Sequence, residues 1–217
     1  MKAMILAAGR GERMRPLTDT LPKPLLEVRG KPLIVWHVEK LAACGFKEII
    51  INIAHLGYKI PEYLGDGSLW HVEIKYSDEQ QEGGLESAGG IIKALPLLGD
   101  APFLVVNGDI FCDYDFDVNF ELGDKLAHLI LVPNPEHNPH GDFGLDGSLV
   151  VNEADTKQTF SGIGYYNPKI FDKMEYGKSA LAPLLRKTIE KSQVSGALYR
   201  GIWHDIGTVE RLELINR

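Results

Sequence analysis

Residues 4–18, reading MILAAGRGERMRPLT, run from an apolar stretch of strand length straight into a glycine loop loaded with cations. A strand ending in Gly9-Arg10-Gly11 brings backbone N–H groups close enough to cradle an anion. Arg10, Arg13 and Arg15 lie in the loop, and Lys23 follows between Pro22 and Pro24. Four cations exceed what a dinucleotide's pyrophosphate needs and point to a nucleoside triphosphate. Neither standard phosphate motif is met. The dinucleotide fingerprint wants glycine or alanine where Met14 stands, and Pro16, Pro22 and Pro24 break the helix it requires. No Gly-Lys-Ser/Thr run exists for a Walker loop.

The rest of the chain alternates strand and helix. Apolar runs predict buried strands over 2–7, 48–54, 72–77 and 103–106, with helices over 32–44, 58–64 and 86–95 between them. That order predicts a Rossmann-like, doubly wound, mainly parallel mixed α/β sheet in one domain over 1–217. Farther on, strands are expected over 127–132, 158–166 and 199–206. Helices are expected over 179–191 and from Val209, and residues 134–147 read as loop or hairpin.

Hydrophobic residues make up 44% of the 217, enough for a substantial core. The net charge of −7 argues against nucleic acid as a partner, so a local basic cluster implies a small anionic ligand. Cys44 and Cys112 match no metal-ligand spacing and suit reduced thiols in a cytoplasmic protein. No apolar run reaches the roughly 18 residues of a membrane span, and no membrane partner is expected. Charges at Arg10, Glu12 and Arg13 make the N-terminus a poor signal peptide. Monomer and dimer both remain open.

Lys23 stands out because the flanking prolines stiffen its backbone, and a rigid cationic arm suits charge on transferring phosphoryl oxygens. Asp109 closes the run FLVVNGD at the carboxyl end of a strand, where ligands of open α/β sheets bind. Asp205 occupies a similar place in WHDIGT. Two such carboxylates beside a triphosphate are what Mg²⁺ takes. His137 and His140 read as solvated loop residues, and Trp36, Trp70 and Trp203 as packing residues.

The opening pattern, the VNGD at 106–109 and the WHDIGT at 203–208 together resemble the sugar-1-phosphate nucleotidyltransferase family, across nearly the whole chain. The resemblance implies a GT-A-like fold, with a nucleotide-binding half over 1–110 and a sugar-binding half over 111–217. It implies that Leu6, Ala7, Ala8, Gly9, Arg10 and Gly11 line the nucleotide, along with Glu79, Glu86, Asn107 and Gly108. Arg13 would meet the β- and γ-phosphates, and Lys23 the α-phosphate or the sugar phosphate. Asp109 and Asp205 would hold Mg²⁺, making Arg13, Lys23, Asp109 and Asp205 the catalytic set. Asn107, Asp142, Ser161 and Gly162 would contact the sugar.

The implied substrates are a nucleoside triphosphate, UTP favoured, and a sugar-1-phosphate, in a bacterial cytoplasm. GDP-mannose, GDP-heptose or dTDP-glucose formation stays open on the same scaffold, as does a non-catalytic binding subunit. The chain departs from its relatives at Ser87-Ala88, where they read Thr-Gly. It departs again at Ala180, where they carry a lysine that is matched here only by Lys178.

Overall fold

The computed structural model describes all of residues 1–217. The glycine loop leaves strand β1 (Lys2–Leu6), which lies inside the sheet and is therefore apolar on both faces. A small ribbon of β2 (Glu27–Val28) and β3 (Lys31–Pro32) leads into helix α1 (Leu33–Ala43). Strand β4 (Glu48–Ile53), helix α2 (Lys59–Leu64), strand β5 (Glu73–Asp78), helix α3 (Glu86–Leu98) and strand β6 (Phe103–Asn107) follow. The expected alternation thus holds over the first half.

The second half is richer in strands than expected. It contains β7 (Ile110–Cys112), β8 (Ala127–Val132), β9 (Gly144–Asp146), β10 (Leu149–Val151) and β11 (Thr159–Tyr166). Helix α4 (Leu181–Ile189), β12 (Val194–Leu198), β13 (Trp203–Asp205) and α5 (Val209–Ile215) complete the chain. Within 134–147 only β9 is strand; its hairpin partner β10 lies beyond that window, at 149–151. The single strand expected over 199–206 is replaced by two. β12 joins the main sheet before Tyr199, and β13 leaves it to pair with β7.

One sheet of nine strands, ordered β5-β4-β1-β6-β11-β8-β12-β10-β9, runs through both halves. From β5 to β6 every pairing is parallel; beyond β6 the pairings are mixed. The two faces bury separate cores. One is built on Ile34, Val38, Leu41 and Phe46 against Ile49 and Ile51, the other on Ile91, Leu98, Phe171 and Leu185 against Met4 and Ile50. Ile49 and Ile51 face one way and Ile50 the other, as a strand's two-residue period requires. No helix is long and apolar enough to cross a membrane.

Helix α4 starts at Leu181, two residues later than expected, because the Ser179 carbonyl accepts the Ala88 and Gly89 N–H groups that open α3. Ser87 Oγ accepts the Leu181 N–H at 3.1 Å and supports the start of α4. Helix α3 passes expected Leu95 and runs through Pro96 to Leu98, since a proline in the last turn removes only one ladder bond.

Candidate active site

Strands β1 and β6 end side by side, and the chain that follows each of them walls a cleft of about 810 Å³. Leu6, Ala7, Ala8, Gly9, Arg10 and Gly11 line one wall. Gly11 takes φ 66°, a left-handed conformation, and a Cβ there would stand 2.8 Å from Thr18 Cγ2. Thr18 Oγ1 donates to the Gly11 carbonyl at 2.7 Å and pins the turn from within. Asn107, Gly108 and Asp109 line the facing wall, with Arg13, Lys23 and Glu86 around the rim and floor.

Lys23 is only 8% exposed, and its Nζ donates to Asp109 Oδ2 at 2.7 Å. The short helical turn Lys23–Leu25, started by Pro22 and Pro24, holds it there. The sequence-distant pair therefore meets on the cleft floor. Behind it lies His37, whose burial pushes its pKa down to about 4 despite the raising effects of the Ile110 backbone and the Asp109 charge. Burial likewise pushes the Cys112 thiol up to about 11, so it stays protonated.

Asp205 stands on β13, opposite Ile110 of β7, and the Ile206 N–H donates to the Asp109 carbonyl at 2.7 Å. The two aspartates thus occupy adjoining strand ends. Asp205 itself is engaged: Oδ2 accepts from Arg211 Nη1 at 2.7 Å, and Oδ1 lies 3.0 Å from His137 Nε2. Asp205 does not line the cleft, whereas Gly207 beyond it does. No cluster of three metal-ligating side chains forms here or elsewhere. Of the two carboxylates only Asp109 lines the cleft; Mg²⁺ takes one or two carboxylates and completes its shell with substrate phosphates.

Several expected contacts are corrected. Glu79, expected at the nucleotide, is fully buried beneath the cleft. It accepts Asn52 Nδ2 and the Leu85 N–H, each at 2.7 Å, while Asn52 Oδ1 accepts the Ala7 N–H at 2.7 Å. Ser161, expected at the sugar, is 1% exposed; its hydroxyl donates to the Ile130 carbonyl and accepts the Ile163 N–H. Gly162 lines neither cavity. Its φ of 80° turns it toward Asn107, and a Cβ would lie 2.5 Å from Asn107 Nδ2, so it makes room for that side chain. Arg15 turns away to pair with Asp19 at 3.2 Å. His137 is not merely solvated but meets Asp205.

A second cavity, of about 240 Å³, opens off the first and shares Ser87 and Asn107 with it. Asp142 lines it, as expected of a sugar contact, together with Phe143, Phe160, Leu181 and Leu185. The Asp142 carboxylate is already bonded to Asn138 Nδ2 at 3.2 Å and the Phe160 N–H at 2.8 Å. Two cations stand in the cavities that the expected site residues did not include. Lys178 lines the main cleft, 3.6 Å from Glu86. Arg186 lines the second cavity. Arg186 lay in view on a predicted helix, but nothing in its spacing said which way it faced.

A glycine-loop cleft on the ends of a parallel sheet, floored by a lysine–aspartate pair, defines a phosphate-handling α/β enzyme. The nucleotidyl transferase family model matches residues 2–217, and the chain belongs to that family. It is 57% identical, over 98% of this chain and 96% of the relative, to the N-acetylmuramate alpha-1-phosphate uridylyltransferase of Neisseria meningitidis serogroup B. It is 33% identical to the mannose-1-phosphate guanyltransferase of Hypocrea jecorina over 77% of this chain, but spans only 42% of that protein. Its fold matches a Bacillus anthracis structure described as a glucose-1-phosphate thymidylyltransferase in complex with sucrose. The TM-score is 0.87 at 24% identity, over 100% of this chain and 94% of that one.

Proposed function

We propose that the chain transfers a uridylyl group from UTP to N-acetylmuramate α-1-phosphate, forming UDP-N-acetylmuramate and pyrophosphate. The 57% identity to a uridylyltransferase of that substrate, over almost the full length of both chains, carries the reading. The two joined cavities support it: the larger suits a triphosphate, the smaller a sugar, and they meet at Asn107 beside Asp109.

An oxygen of the sugar phosphate attacks the α-phosphorus of UTP. The bond from that phosphorus to the α–β bridging oxygen breaks, and pyrophosphate leaves with the electron pair. No covalent enzyme intermediate is needed, so the chain's task is alignment and charge stabilisation. The glycine-loop amides and Arg13 hold the departing β- and γ-phosphates. Lys23 presents a fixed positive charge to the transferring phosphoryl group. Asp109 orients Lys23 through Oδ2 and keeps Oδ1 for the cation site. Asp109 and Asp205 would hold Mg²⁺, which neutralises phosphate charge and favours the in-line geometry when bound. In this reading the enzyme works in a bacterial cytoplasm and returns a cell-wall sugar to the nucleotide-activated pool in peptidoglycan recycling.

Incubation with UTP, Mg²⁺ and N-acetylmuramate α-1-phosphate tests the reading. Mass spectrometry of the products is expected to show UDP-N-acetylmuramate. Its absence, with a different nucleotide sugar formed from another pair, would replace the substrate and keep the chemistry.

A further inference from the structure

We infer that Arg186 is a specificity-determining residue that pairs with a carboxylate on the sugar, so that the acceptor is an acidic sugar-1-phosphate. The inference rests on the acceptor proposed above and names the group that reads it.

Arg186 is the one cation lining the second cavity. On helix α4, positions 181, 182, 185 and 186 share one face, and all four line that cavity. Helical side chains lean toward the N-terminus, which carries the Arg186 guanidinium back over its own apolar floor. It lies 5.0 Å from the centroid of the Phe143 ring, and Nη2 reaches the Asp142 carbonyl at 3.5 Å. The group is thus held on an aromatic face instead of sweeping through solvent.

It has no carboxylate partner of its own. Glu153, which feels its charge, is paired with Lys157 at 2.8 Å, and both Asp142 oxygens are bonded to Asn138 and Phe160. The planar fork remains free to take a carboxylate in two-pronged fashion.

Position supplies the rest. A sugar whose 1-phosphate lies by Lys23 and Asp109 must extend past Asn107 into this cavity. Phe143, Phe160, Leu181 and Leu185 wall it with apolar surface, suited to sugar ring faces and methyl groups. A substituent on the ring side remote from the phosphate then meets Arg186. N-acetylmuramate carries a lactyl carboxylate there; N-acetylglucosamine carries a hydroxyl.

The test is a cycle of two enzymes and two substrates. KM is measured for N-acetylmuramate α-1-phosphate and for its lactyl methyl ester, with wild type and with Arg186→Met. In wild type the ester is expected to raise KM at least tenfold. Arg186→Met is expected to raise KM for the acid by a similar factor, with little further rise for the ester, and Arg186→Lys to recover part of the loss. Because Arg186 is on the surface, a melting curve checks that each variant folds. If Arg186→Met still separates acid from ester as wild type does, Arg186 does not read the carboxylate and only this inference falls. If wild type turns over neither N-acetylmuramate derivative, the acceptor reading fails and takes the inference with it, before any variant is made.

Discussion

Lys23 Nζ lies 2.7 Å from Asp109 Oδ2, joining a proline-framed turn to the end of β6 across 86 residues of sequence. The pair fixes a cation and an anion on the floor of one cleft. With Lys23 only 8% exposed, its charge would meet a bound phosphate with little screening by water.

Lys23→Met keeps most of the aliphatic stem and removes the charge. It is expected to lower kcat by about a thousandfold, roughly 4 kcal/mol of transition-state stabilisation. The far-ultraviolet circular dichroism should stay that of wild type. Turnover within tenfold of wild type would remove Lys23 from the chemistry.

The buried chain from Ala7 through Asn52 and Glu79 to Leu85 ties the glycine loop to the segment that opens α3. Glu79→Gln turns an amide NH₂ toward one of two groups that already donate. A loss of about 1–3 kcal/mol is expected from the unmet donors, together with a raised KM for UTP. Urea unfolding and initial-rate kinetics measure the two effects. An unchanged midpoint would mean that the relay is not under strain from the swap.

His37 supplies an acid-sensitive element. The unfolded chain binds a proton below pH 6.5 that the folded chain refuses until about pH 4. Stability therefore falls as pH drops through that window, by about 3 kcal/mol in all, and this contribution levels off below it. His37→Gln should flatten the dependence by about one proton between pH 6.5 and 4. The same slope in both proteins would assign the acid sensitivity to other groups.

Tyr166 buries a hydroxyl with no hydrogen-bond partner. Burial also pushes its pKa upward, so it stays neutral. Tyr166→Phe removes an unmet polar atom and keeps the ring packed on Phe103 and Phe171. Calorimetry is expected to show a stability unchanged or raised by up to about 1 kcal/mol. A clear loss would mean that the hydroxyl is paired in solution.

The parallel half of the fold was legible because its strands are continuous apolar runs, such as Phe103–Val106, closed by turn residues. β12 was not, because VSGAL offers neither a β-branched run nor alternation, and Gly196 there serves close packing on Val150. The glycine loop and Asp109 stood out because each closes an apolar strand, and Lys23 because prolines flank it. Glu79 and Ser161 misled because a polar residue near a site in sequence can equally be spent beneath it. The engagement of Asp205 by His137 and Arg211 needed the tertiary fold, since a loop residue 68 positions away supplies one partner.

The most direct measurement is Mg²⁺-dependent pyrophosphate release across UTP, CTP, GTP, ATP and dTTP. Each is paired with the 1-phosphates of N-acetylmuramate, mannose, glucose and N-acetylglucosamine. The predicted result is a kcat/KM for UTP with N-acetylmuramate α-1-phosphate well above every other pair, and no release without the divalent cation. A higher kcat/KM for any other pair, or equal release without the cation, would contradict the account.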